Sequence, residues 1–205
     1  MNVVFIAGTD TGVGKTTVTG LLARHLIKEG YRVVTQKWVQ TGSNGLHTDV
    51  DVHLKFMGMK RENFKDYFSF MMPYVFKFAS SPHLAASLEK KKININKIKK
   101  SLEILSEKFD IVIVEGTGGI MVPLKKKYLM IDIVKELNLP VLLVSANKLG
   151  TINHTILTVE ALKKRNIKIL GIIFNNMHNK DNPKILKDNP EIIKEVTGVK
   201  ILGVL

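Results

Sequence analysis

Ten consecutive residues, Gly8-Thr9-Asp10-Thr11-Gly12-Val13-Gly14-Lys15-Thr16-Thr17, carry the densest chemistry in this sequence. They join an apolar run to an amphipathic one, the context of a strand turning into a helix. Glycines there let backbone N–H groups curl around phosphate oxygens, and the helix that follows aims the positive end of its dipole at the same anion. Lys15 has the reach for β- and γ-phosphates, and the Thr16 hydroxyl can join the shell of a Mg²⁺ ion. Five residues separate Gly8 from the Gly14-Lys15 pair, one more than the general phosphate-loop pattern holds, and Thr9 stands where that pattern has glycine. A glycine-rich turn without a ligand is the bland alternative, and Lys15 and Thr16 together argue against it. The chemistry expected is binding of a nucleoside triphosphate.

Other reactive side chains follow apolar runs further along. Thr35-Gln36-Lys37 ends one of them. If that strand neighbours the first, Lys37 stands beside the phosphate loop, where a second lysine stabilises anionic intermediates; a solvated strand-end lysine is the alternative. In His47-Thr48-Asp49-Val50-Asp51-Val52-His53 the spacing favours Asp49 at a helix start, with His47 and His53 as surface residues rather than metal ligands. One Asp completing a Mg²⁺ shell suits a cation that takes few carboxylates plus phosphate oxygens. Glu115 ends the run Ile111-Val112-Ile113-Val114, the usual place for a second Mg²⁺ contact. Gly116, Gly118 and Gly119 behind it allow close backbone approach to a ligand. In Ser145–His154 a helix start can hold a substrate carboxylate, with Asn153 as contact or N-cap and His154 structural. Asn175-Asn176 places amides where an adenine N6–N7 edge can be read, or forms a turn.

These residues need elements to hold them. Strands are expected at Val3–Ala7, Arg32–Gln36, Ile111–Glu115, Pro140–Ser145, Ile169–Phe174 and Lys200–Val204, and helices at Lys15–Lys28, Asn96–Lys108, Thr151–Arg165 and Lys184–Val196. Several strands are apolar at consecutive positions, which suits burial on both faces of a parallel sheet. Alternating βα units predict an α/β fold, a doubly wound and mostly parallel sheet of phosphate-loop NTPase type in three layers. Ligands then bind beyond the carboxyl ends of the strands, where the residues above lie.

The 205 residues, 45% hydrophobic, fit one domain spanning 1–205. With no cysteine, disulfides, thiolate zinc sites and cysteine nucleophiles are excluded, and a cytoplasmic setting fits. No apolar run approaches the roughly 18 residues of a membrane span, and the N-terminus reads as a buried strand rather than a signal peptide. The net charge of +13 comes from lysine runs such as Lys90–Lys92 and Lys125–Lys127. No aromatic residues interleave with them as a single-strand platform requires, so a solvated basic exterior is expected, with neither nucleic acid nor membrane as partner.

Taken together, GTDTGVGKT (8–16), KWVQTG (37–42), TDVD (48–51), PYVFKFASSPH (73–83), VEGTGG (114–119), KLGTINH (148–154) and FNN (174–176) resemble dethiobiotin synthase, which closes the ureido ring in biotin synthesis. Its longer phosphate loop matches this one. The resemblance implies an ATP- and Mg²⁺-dependent cyclo-ligase that joins CO₂ to 7,8-diaminononanoate through a carbamate and a carbamic–phosphoric anhydride. It implies Lys37, Lys15 and Thr11 as catalytic groups. Gly12, Val13, Gly14, Lys15, Thr16, Thr17, Asp49, Glu115, Gly116, Thr117, Gly118, Asn175 and Asn176 bind the nucleotide. Thr11, Lys37, Thr41, Gly118, Leu149, Gly150 and Asn153 bind substrate, and Thr16, Asp49 and Glu115 hold the metal. The family works as a homodimer in which the diamine carboxylate reaches the partner subunit. Trp38 departs from the proline usual after the strand-end lysine. The family's closing loop and helix beyond the last strand are expected to be absent from a sequence ending at Leu205.

A competing reading is a regulatory switch ATPase of the septum- or plasmid-positioning kind, which shares the fold and to which basic charge is useful. That family has an extra lysine early in its loop, where this sequence has Gly8, Thr9 and Asp10. An amidotransferase-type synthetase of cobalamin synthesis needs a glutaminase domain and a cysteine, for which this chain has neither length nor residue.

Overall fold

The computed structural model describes residues 2–176 and 181–205. In chain order the strands are β1 (Val3–Gly8), β2 (Val33–Lys37), β3 (Val39–Gln40), β4 (Tyr74–Val75), β5 (Ile111–Gly119), β6 (Pro123–Lys125), β7 (Tyr128–Leu129), β8 (Val141–Ala146), β9 (Ile169–Asn175) and β10 (Ile201–Val204). The helices are α1 (Lys15–Lys28), α2 (Asp49–Met57), α3 (Phe68–Met71), α4 (Pro82–Leu88), α5 (Ile95–Lys108), α6 (Met130–Glu136), α7 (Thr151–Lys164) and α8 (Pro183–Thr197). Six strands form one sheet in the order β10-β9-β8-β1-β5-β2, and all its pairings are parallel. Phe5, Ile6, Val112, Ile113, Val114 and Leu143 are buried in it, as consecutive apolar positions require when helices flank a sheet. The expected α/β architecture is the one found.

The strand order corrects one expectation. β2 does not neighbour β1; β5 lies between them, pairing Ile6 with Glu115 on one side and Glu115 with Lys37 on the other. The long apolar β5 takes the interior slot, whereas β2 carries Thr35, Gln36 and Lys37 and takes an edge. That edge is covered: Gln36 Nε2 donates to the Phe70 carbonyl at 2.9 Å. From β1 the chain crosses to β2, and from β5 it later crosses to β8 on the other side of β1. The crevice at this reversal lies over the carboxyl ends of β1 and β5, where doubly wound sheets bind ligands.

Local chemistry explains the element ends. Thr48 caps α2, accepting from Asp51 N while the Asp51 carboxylate accepts from Thr48 N. Asp49 therefore opens the helix, as expected. Gly150, in the left-handed region, starts α7, so Asn153 lies inside that helix and is not its N-cap. Pro190 inside α8 has no N–H for the Leu186 carbonyl. The buried Asn147 amide donates to that carbonyl at 2.8 Å and docks the helix. Between 61 and 95 the short α3, β4 and α4 lack a clean apolar period, so the sequence does not announce them. Among the described residues no helix is long and apolar enough to cross a membrane.

Candidate active site

The loop after β1 adopts the conformation its glycines permit. Gly12 and Gly14 have φ of 74° and 100°, left-handed values that favour glycine. Gly14 caps α1 without a side chain, so the first N–H groups of the helix face the cleft. A Cβ at Gly14 would run into the Asn175 amide, whose Nδ2 donates to the Val13 carbonyl at 3.1 Å. Asn175 thus ties the loop to the end of β9. Lys15 folds back over Gly8, where a Cβ would sit 2.7 Å from its Nζ, and donates to the Asp10 carbonyl at 2.8 Å. Burial, then the nearby Lys37 charge, lowers the Lys15 pKa to about 8, so an arriving phosphate supplies the counter-charge this ammonium lacks.

Behind the loop sits a buried charge cluster centred on Glu115. Lys37 Nζ donates to Glu115 Oε1 at 2.7 Å and to the Gly116 carbonyl at 2.9 Å, and lies 2.8 Å from Asp49 Oδ2. The Thr16 hydroxyl donates to Glu115 Oε1 at 3.1 Å. The structure therefore brings Lys15, Thr16, Lys37, Asp49 and Glu115 together. Lys37 reaches the site across β5, through its register with Glu115. Although burial opposes its charge, Glu115 and Asp49 raise its pKa. Trp38 does not swing Lys37 into solvent. Its ring is buried against Phe5, with centroids 5.1 Å apart, and its Nε1 donates to Gln36 Oε1 at 2.9 Å.

His53 overturns its sequence reading. Expected at the surface, it is fully buried, with Nε2 2.6 Å from Glu115 Oε2. It sits one turn after Asp49 on α2, so both side chains point the same way. The signal available was its place among Val50, Leu54 and Met57, which α2 buries; its partner, 62 positions away, was not visible. Asp51 is the carboxylate to set aside, because Arg61 and the Thr48 cap occupy it. His47 is exposed at a positive φ of 51°.

A cavity of about 740 Å³ opens beside the cluster. Thr11, Gly12, Gly14, Lys15, Thr16, Thr17, Lys37, Thr41, Asp49, Glu115, Thr117 and Gly118 line it. Gln40, Ser80, Ser81 and Val122 line it too and were not foreseen individually. Gln40 Oε1 accepts from Asp49 N at 3.1 Å and so fixes the start of α2. Ser80 and Ser81 lie in the segment 73–83 quoted for the resemblance, but uncharged serines before α4 signal no individual role. Val13, Gly116, Asn175 and Asn176 support the loop or strand ends without lining the cavity. Leu149, Gly150 and Asn153 are exposed at the start of α7 and do not line it in this single chain. His154 is also exposed.

Burial raises the Glu115 pKa, but the Lys37 charge and the His53 hydrogen bond outweigh it and bring it down to about 2. A carboxyl depressed in the folded state contributes stability above its unfolded pKa and loses it as pH falls through the folded value. This contribution is therefore full above about pH 4.5 and fades toward about pH 2. The stability gap between wild type and Glu115→Gln, measured by denaturant unfolding, should narrow across that window; a constant gap would contradict it.

Comparison with known proteins follows the same lines. Residues 2–205 match a family model described as an AAA domain. The ATP-dependent dethiobiotin synthetase BioD 2 of Haemophilus influenzae is 43% identical over 173 residues, covering 84% of this chain and 90% of that protein. The ATP-dependent dethiobiotin synthetase BioD of Methanococcus vannielii is 37% identical over 201 residues, covering 98% and 92%. Among solved structures, a ParA family ATPase from Chlorobium tepidum superimposes with a TM-score of 0.61 at 13% identity, over 100% of this chain and 83% of that one. The MinC:MinD cell division protein complex of Aquifex aeolicus gives 0.58 at 17%, over 100% and 81%. At such identity these two share the fold and carry nothing about activity. Both dethiobiotin synthetases are similar along most of their length, and the chain belongs to the family of ATP-dependent dethiobiotin synthetases.

Proposed function

We propose that this chain makes dethiobiotin from 7,8-diaminononanoate, CO₂ and ATP. The observation that carries the reading is the second buried lysine. Lys37 ends strand β2 and faces the same cavity as Lys15, the first residue of helix α1, so a second positive charge stands beside the phosphate site, where a carbamate and its phosphorylated form would need it.

One amine of the diamine attacks CO₂ and loses a proton, giving a carbamate. A carbamate oxygen attacks the γ-phosphorus and ADP leaves, giving a carbamic–phosphoric anhydride. The second amine attacks the carbonyl carbon, the C–O bond to phosphate breaks, and phosphate departs with that oxygen. Phosphoryl transfer asks mainly for positioning and charge stabilisation. Lys15 and the N–H groups from Gly12 to Thr17 hold the triphosphate. Lys37 stabilises charge on the carbamate and the transferring phosphoryl group. Thr11, Thr41 and Gly118 border the space left for the diamine, with Ser80 and Ser81 on the α4 side. Gly116 and Thr117 shape the wall behind it; the Thr117 hydroxyl is tied to the Val39 carbonyl.

The donor set suits Mg²⁺. The Thr16 hydroxyl and Glu115 Oε1 lie 3.1 Å apart, and Asp49 and Glu115 already share one cation, the Lys37 ammonium. These are hard oxygen donors, few in number, beside a phosphate site. Thr16, Asp49 and Glu115 would hold the ion, which would neutralise charge on the phosphates when bound. Asn175 and Asn176 are the amides proposed to meet the adenine.

Leu149, Gly150 and Asn153 fit the reading if the enzyme is a homodimer. Exposed at the N-terminus of α7, they would meet the diamine carboxylate in the partner's cleft, where helix N–H groups favour an anion. With ATP and bicarbonate as reactants, the cytoplasm is the compartment proposed. ADP release that requires both diamine and bicarbonate is the expected result of a coupled assay. ATP turnover stimulated by DNA or lipid vesicles and indifferent to the diamine would overturn the reading in favour of a switch ATPase.

A further inference from the structure

Helix α2 places a fully buried imidazole against the carboxylate at the end of β5. Burying a polar ring is costly unless it is hydrogen-bonded, and leucine or valine would fill a core position on α2 without that cost, as Leu54 and Val50 do. Among the described residues His53 Nδ1 has no hydrogen-bond partner. The ring therefore tolerates one orphaned nitrogen while making a single polar contact, Nε2 to Glu115 Oε2 at 2.6 Å. Glu115 is held as a carboxylate, so Nε2 is the protonated nitrogen and donates.

The consequence lies in how the two carboxylate oxygens divide. Oε2 is taken up by His53. Oε1 accepts from Lys37 and from the Thr16 hydroxyl. The carboxylate is pinned from behind with one oxygen turned toward the cleft. Asp49 stands one turn earlier on the same helix, so α2 supplies one acidic side chain of the cleft directly and orients the other through His53.

We propose that His53 is a positioning residue for Mg²⁺ binding: by holding Glu115 Oε2 it fixes Oε1 as the oxygen on the side of Thr16, Lys37 and Asp49, where the ion would bind. This rests on the assignment of Glu115 as a metal contact under the proposed function. Partners that orient a metal's ligands typically contribute about 10–100-fold to metal affinity or activity.

The test compares three variants by calorimetry, measuring ATP affinity with saturating Mg²⁺ and again with EDTA, diamine absent so that no turnover occurs. The ratio of the two affinities reports the ion's contacts with the protein. His53→Leu fills the core without a donor and should lower that ratio by about 10–100-fold, with EDTA affinity little changed. His53→Gln keeps an N–H donor and should recover most of the ratio. Circular dichroism and thermal unfolding confirm the fold. Glu115→Gln serves as the control for the premise. If Glu115→Gln lowers the ratio and His53→Leu leaves it at the wild-type value, the positioning role is overturned and the metal contact stands. Equal losses in His53→Leu and His53→Gln would also overturn it, showing that ring shape rather than the hydrogen bond matters. A wild-type ratio in Glu115→Gln would overturn the metal contact and the positioning role together.

Discussion

Replacing Lys37 by glutamine should lower kcat by about 10²–10³-fold, the loss expected for one charge-stabilising donor at a transferring group. Nucleotide affinity should change far less, because Lys15 and the loop N–H groups remain. The structure sharpens this expectation. Lys37 bridges Glu115 and Asp49 at 2.7 and 2.8 Å, so the variant leaves two carboxylates facing each other without a cation. Breaking one side of a buried ion pair costs about 3–5 kcal/mol. Lys37→Gln should therefore unfold at lower temperature in EDTA and regain part of the loss with Mg²⁺, which supplies the missing positive charge. Single-turnover kinetics, ATP titration and thermal unfolding on one variant check all three. A kcat near wild type would show that Lys37 serves the fold and not the reaction.

The second large effect concerns Asp49. Its side chain is about one-third exposed, its carboxylate pairs with Lys37, and its N–H is held by Gln40. Asp49→Ala should raise the Mg²⁺ concentration for half-maximal rate by about tenfold or more, equivalent to about 1.4 kcal/mol of lost binding. Saturating Mg²⁺ should restore much of the rate, and the fold should survive because Thr48 and Asp51 still cap α2. Asp51→Ala is the contrast: it should weaken the helix start, by about 0.5–2 kcal/mol for a lost cap, with Mg²⁺ dependence unchanged. The reverse pattern would show that Asp51, not Asp49, meets the ion.

How much of this was legible follows from the range of each interaction. The phosphate loop was readable because backbone wrapping, a lysine and a hydroxyl must come from consecutive residues. Asp49 was readable because helix capping is local: Thr48 three positions before Asp51 announces the start of α2. Glu115 was readable because a charge at the end of an apolar strand needs a partner. Strand order was not, since β2 and β5 are distant in sequence and only packing decides which takes the interior. Nor was His53, whose meaning depends on a residue from another element. Trp38 is core: its ring packs on Phe5, and Lys37 pairs with Glu115 beside it. Ser80 and Ser81 reach the cleft because β4 pairs with β3 and turns the chain back over it, a tertiary fact with no local signature.

The most direct test of the account is the fate of bicarbonate atoms. In the proposed sequence the carbon of CO₂ becomes the ureido carbon, and one oxygen passes from the carbamate to phosphorus and leaves as phosphate. Bicarbonate labelled with ¹³C and ¹⁸O, incubated with the protein, Mg-ATP and the diamine, should give a product labelled in its ureido carbon and phosphate bearing a single bicarbonate-derived ¹⁸O, as read by mass spectrometry. Phosphate released without bicarbonate oxygen, at a rate independent of the diamine, would contradict the account at its centre.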